Sequence, residues 1–185
     1  ARMLPKRKWY RRPVDIVLGK AIFYFILYLL MAIYAYAAVT RWFSLPDVGD
    51  YFVFLRFIIP YLLACIFLAM VLSVLVYRRE DCIMLFVFLS VPLLFMSGIS
   101  WPGSEIPEFW KYVSWLFPST FGMNGYLRIM GTGASIQDIH HEYVGLWCQV
   151  GVYGILACIM YRLRLKAIVK RLSSAKNRQK MYQEE

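Results

Sequence analysis

His140, His141 and Glu142 stand side by side, with Cys148 about two helical turns further on. They are the residues whose types could bind a metal or activate water. A zinc-dependent hydrolase places two histidines one helical turn apart, with a glutamate between them as base, the H-E-x-x-H spacing. "HHEY" does not have that spacing, and the residues read better as a polar cap on a helix entering an apolar medium. Nucleotide chemistry fares no better. "GTG" at Gly131–Gly133 lacks the following Lys and Ser/Thr of a phosphate-binding G-x-x-x-x-G-K-[ST] loop. The four cysteines, Cys65, Cys82, Cys148 and Cys158, form no C-x-x-C pair. What remains is a group of polar residues after Pro118: Ser119 and Thr120 beside it, then Asn124 and Arg128, spaced i, i+4 and so on one helix face.

The elements that carry these residues are apolar. Hydrophobic residues make up 61% of the 185, and mean hydropathy is +0.54, well above the ~45–50% of soluble domains. Crossing about 30 Å of hydrocarbon takes ~20 helical residues. Four runs reach or approach that length, giving expected spans at about 21–40, 51–77, 82–99 and 143–162. None alternates with period two, so helices are expected and a barrel is not. Arg56 lies about five residues inside the second run, close enough to the interface to snorkel outward, and Pro60 is expected to kink that helix.

Charge orients the bundle. Seven basic residues precede the first run, Arg78 and Arg79 separate the second from the third, and eight follow the fourth. Arg41, Arg56, Lys111 and Arg128 alone fall on the other side, among six acidic residues. The positive-inside rule then puts both termini in the cytoplasm. The net charge of +10 has the same origin, and the basic residues flank spans instead of forming a nucleic-acid-binding patch. Residues 1–20 read as a basic segment, with "RRPVDIVLGK" a short interfacial helix whose Ile16, Val17 and Leu18 can lie on lipid. "RREDC" at 78–82 reads as a tight cytoplasmic turn, and 163–185 as a basic tail.

Between the third and fourth runs lies a segment of mixed polarity, about 104–130. Ile106, Phe109, Trp110, Val113, Leu116 and Phe117 share one helix face, and Ser104 is placed to cap it. Pro118 ends that helix, and a second can start at Ser119 or Thr120. Neither is long enough to span. Two short helices that dip in from the outside and return account for the segment. The expected fold is an all-α membrane protein with four transmembrane helices plus a short re-entrant helical hairpin on the external side.

The run Pro118–Ile129, "PSTFGMNGYLRI", matches P-S-T-x-G-x-x-G-[FY]-L-R-[IL] before a last span that opens "YVGLWCQ". With "LGK" at Leu18–Lys20, this resembles the permeases of the ABC transporter type-2 family, in particular the bacterial drug-export type, from about Pro13 to Tyr161. "ARMLPKRKWY" stands where that family has an acidic R-E-x-G-T-type stretch. The resemblance implies a six-span protomer of which this chain carries the last four, beginning within a cytoplasmic coupling segment. It implies dimerisation with a second permease protomer in the bacterial inner membrane, and no cofactor on this chain, since ATP is hydrolysed by a separate ABC ATPase subunit. A periplasmic adaptor is a further candidate partner, alongside membrane lipids. The external gate would use Trp101, Pro118, Ser119, Thr120, Asn124 and Arg128. The ATPase would dock on exposed cytoplasmic charges, Arg11, Arg12 and Asp15 with Arg78, Arg79, Glu80 and Asp81. The alternatives are a structural subunit or passive channel and, more remotely, an intramembrane enzyme.

Overall fold

A computed structural model describes residues 13–43, 49–76, 79–96 and 108–184. They form six helices: α1 Pro13–Phe43, α2 Tyr51–Leu75, α3 Arg79–Met96, α4 Glu108–Ser114, α5 Pro118–Thr132 and α6 His140–Glu184. Among the described residues three helices are long and apolar enough to cross a membrane, over Val17–Trp42, Tyr51–Val74 and His140–Arg164. Large side chains such as Phe23, Tyr34, Phe52 and Ile155 face outward on them. A water-soluble domain does not leave so much apolar surface bare, whereas lipid accepts it.

α3 falls short of that standard for a simple reason. Its first turn holds Arg79, Glu80 and Asp81. The apolar remainder, Cys82–Met96, is about 15 residues and ~22 Å long. Arg79–Cys82 of "RREDC" are therefore helix and not turn, with Arg78 outside the described residues: Val76 caps α2, and the chain is helical again by Arg79. Acidic Glu80 and Asp81 suit the positive end of a helix dipole.

One expectation for the start of the chain needs correction. Pro13–Lys20 is not a separate interfacial helix but the first two turns of α1. Nothing between Pro13 and Lys20 breaks the hydrogen-bond ladder; of the residues expected on lipid Val17 is buried, while Leu18 is exposed. At the other end α6 runs unbroken through the basic tail to Glu184. Its Lys, Arg, Ala, Leu and Gln residues are all good helix formers.

α2 and α6 make the most extensive helix pair, joined by α1 toward one end and α5 toward the other. Two apolar clusters hold them. At the end carrying Lys20 and Arg164, here termed the basic end, Val17 and Ala21 of α1 pack with Ile66 and Met70 of α2 and Ala157 of α6. At the opposite end Phe54 and Phe57 of α2 pack with Ile129 of α5, then Ile139 and Leu146. α2 is capped at that end by Asp50, whose carboxylate accepts from Phe52 N at 3.1 Å. At the basic end Arg164 donates to Val76 O at 3.4 Å, serving a carbonyl that the end of α2 leaves over. α2 continues through Pro60, which is fully buried.

Candidate site at the helix break

Between α4 and α5 the backbone leaves the helical path at Trp115–Phe117. The break has a sequence cause. Pro118 cannot donate, and as the first residue of a helix it need not. α5 thus starts at Pro118, with Phe117 extended at its N-cap and no side-chain cap bond. The helix begins one or two residues before the expected Ser119 or Thr120, and Thr120 points backward. Its Oγ1 donates to Ser114 O at 2.9 Å, tying the start of α5 to the end of α4.

A helix end leaves carbonyls without intrahelical partners, and in an apolar medium each must find one. Here they are satisfied in sequence. Ser114 O receives Thr120 Oγ1 and the Phe117 amide, the latter at 3.0 Å. Trp115 O receives Gln149 Nε2 at 2.7 Å. Leu116 O receives the Tyr153 hydroxyl, and Phe117 O the Thr120 amide at 3.3 Å. Gln149 and Tyr153 lie one turn apart on α6, both buried. They are about 13 and 20 Å along the helix from His140, which puts the break beside the middle of the apolar part of α6.

From there α5 runs back toward the N-terminus of α6. Gly122 and Gly125 let it approach α2 closely: a Cβ on Gly122 would overlap the Tyr61 ring, and one on Gly125 the Phe57 ring. Close packing through small residues is a common device of membrane helices. α5 ends at Gly133, whose φ of 64° favours glycine. Arg128 then pairs with Glu142 in the first turn of α6 at 2.9 Å. Ser135 donates to Asp138 through its amide at 2.9 Å and its hydroxyl at 2.7 Å. These two bonds hold the Asp138 carboxyl below its usual range.

Beside the break a cavity of about 350 Å³ opens between α2, α3 and α5. Phe57, Tyr61, Leu93 and Tyr126 give it apolar walls, and Ser90 and Ser119 line it too. Ser119 Oγ is buried without a hydrogen-bond partner among the described residues.

Of the residues singled out from sequence, Pro118, Ser119 and Thr120 thus gather at the break. Arg128 lies about 15 Å further along α5, engaged with Glu142, and Asn124 is exposed. Asp15, Glu80 and Asp81 are exposed, and Arg79 heads α3. Trp101, Arg11, Arg12 and Arg78 lie outside the described residues. Among the described residues no three His, Cys, Asp or Glu side chains converge on one point, and Glu142 faces Arg128. Sequence reasoning missed Gln149 and Tyr153. The available signal was a lone amide in an apolar run with a tyrosine four residues later.

Comparison with known proteins gives one finding. A family model described as an ABC-2 family transporter protein matches residues 11–159, which takes in α1 through the apolar part of α6. No curated protein and no solved structure matches the chain.

Proposed function

Because the chain belongs to the ABC-2 family of transporter proteins, we propose that it is the membrane-crossing permease part of an ATP-driven exporter of drugs or other amphiphilic molecules. Its role in the family is that of a transporter's membrane component and not of the catalyst. The observation that carries the proposal is the break between α4 and α5, with its spare carbonyls bonded beside the middle of α6. A helix pair that stops part-way and turns back needs its backbone satisfied there, which supports this reading. In this reading α3 is a fourth span, and α4 and α5 dip in from the external face as a re-entrant gate. Both termini are then cytoplasmic, in a bacterial inner membrane.

Energy then comes from the ABC ATPase subunit with which this family normally works. Closure of that subunit would be felt through the cytoplasmic charges, Arg11, Arg12 and Asp15 on one side, Arg78, Arg79, Glu80 and Asp81 on the other, and would rock packed helices between two arrangements. A second protomer would pack on α3 in this reading. α3 has α4 as its main neighbour and leaves Ile83, Met84, Phe86, Val87 and Phe88 exposed. The aromatic cavity beside Ser119 suits an apolar cargo with one hydrogen-bonding group. A periplasmic adaptor would meet the external face.

Charge reversal at Arg78 and Arg79 to Glu tests the docking. Nucleotide-dependent transport in vesicles containing both subunits should fall at least about tenfold, the size expected for losing a pair of docking charges, while the permease still reaches the membrane. Undiminished transport would overturn the docking role, and equal flux without nucleotide would favour a passive channel.

A further inference from the structure

At the basic end a second cleft of about 280 Å³ lies between α1, α2 and α6. Its mouth is polar. Lys20 Nζ donates to the Tyr161 hydroxyl at 3.4 Å and sits 5.3 Å from the centre of that ring, and Ser73 is close by on α2. Lys20 is exposed and has no carboxylate partner among the described residues.

Both walls become apolar in the same direction. Along α1 the lining passes from Lys20 to Tyr24 and Tyr28, about 12 Å deeper. Those two rings stack at 6.3 Å and are half exposed. Along α2, which runs the other way, the lining passes from Ser73 to Met70 and Ile66, about 10 Å deeper. Met70 and Ile66 are buried and form the floor. The three apolar segments of α1, α2 and α6 all end here, so the mouth lies at headgroup level and the depth in hydrocarbon.

We infer that this cleft is a binding site for an anionic phospholipid of the leaflet on the basic side. Lys20, with the Tyr161 and Ser73 hydroxyls, would hold the headgroup phosphate. The glycerol region and the start of one acyl chain would follow the tyrosines over Met70 and Ile66. The volume is that of roughly nine waters, enough for phosphate and glycerol, with the rest of the chains lying on the exposed apolar face of α1. A free anion has no use for the apolar part, and a zwitterionic lipid brings a cation toward Lys20. The inference rests on the membrane-embedded reading and not on ATP-driven export.

The test is native mass spectrometry of the purified full chain, released from detergent after titration with phosphatidylglycerol or phosphatidylcholine. Wild type should retain phosphatidylglycerol about fivefold more tightly, the effect of one basic residue near a charged headgroup. Lys20→Ala should remove the preference, and Tyr161→Phe should weaken it. Ser73→Phe, which fills the groove but keeps the charge, should abolish retention even if Lys20→Ala fails to fold. Arg41→Ala, at the other end of α1, should change nothing. Equal retention of both lipids by wild type, an unchanged preference in Lys20→Ala, or displacement by millimolar inorganic phosphate alone would overturn the assignment. Absence of nucleotide-dependent transport by wild type with lipid retention intact would count against the exporter reading only.

Discussion

Tyr153 and Gln149 are the side chains on which the break depends, and they differ in what removal would do. Tyr153→Phe deletes one donor and leaves Leu116 O bare in an apolar setting, at a cost of about 1–2 kcal/mol. A lowered unfolding midpoint in detergent, with helix content retained, would check this. Gln149→Leu should cost less, because it also removes the buried Oε1 that has no partner among the described residues. The glycines give a steric counterpart. Gly125→Ala drives a methyl into the Phe57 ring and should destabilise by about 1–3 kcal/mol. Phe57→Leu in the same chain should recover part of the loss, and no recovery would mean that the two are not in contact. Asp138 offers a pH readout. Its carboxyl titrates below the ordinary 3.8 because the charged form accepts from Ser135. The stability it lends is thus present above that value and fades as pH falls through the lower, folded-state one. Protection of the Ser135 amide, its hydrogen exchange measured against the intrinsic rate at each pH, should fall in acid in wild type and be low throughout in Asp138→Ala.

At the scale of elements, length and punctuation were readable and partners were not. Apolar runs marked α1, α2 and the first part of α6, because the bilayer sets a minimum length that few other constraints imitate. Pro118 marked the start of α5 to within a residue or two, because a missing amide is a local fact, although α4 ends at Ser114, three residues before the expected Phe117. The partners of the break are 34 and 37 residues away in sequence, and only the packing of α5 against α6 brings them there. The joins were misjudged for a related reason. Charge made Pro13–Lys20 look like a separate piece and Arg79–Cys82 look like a turn, yet charge has little bearing on whether a backbone ladder continues. Arg128 and Glu142 join α5 to α6 across the short connection. With the guanidinium half exposed, Arg128→Ala should cost less than about 1 kcal/mol. A much larger loss in a thermal melt would show that the pair carries more of the join than its exposure allows.

For the molecule as a whole, α6 ties the two ends together. One continuous rod of 45 residues presents Gln149 and Tyr153 to the break and then extends about 30 Å beyond Arg164. Such a rod resists torsion, so a quarter-turn imposed on its far end arrives at those two donors as a change of phase. Helical phase can be edited without touching either end. One alanine inserted after Arg164 swings the extension by ~100° relative to the apolar part, while seven restore it to within ~20°. If the extension acts as a crankshaft, the single insertion should impair transport far more than the longer one, an order that no tether or spacer would produce.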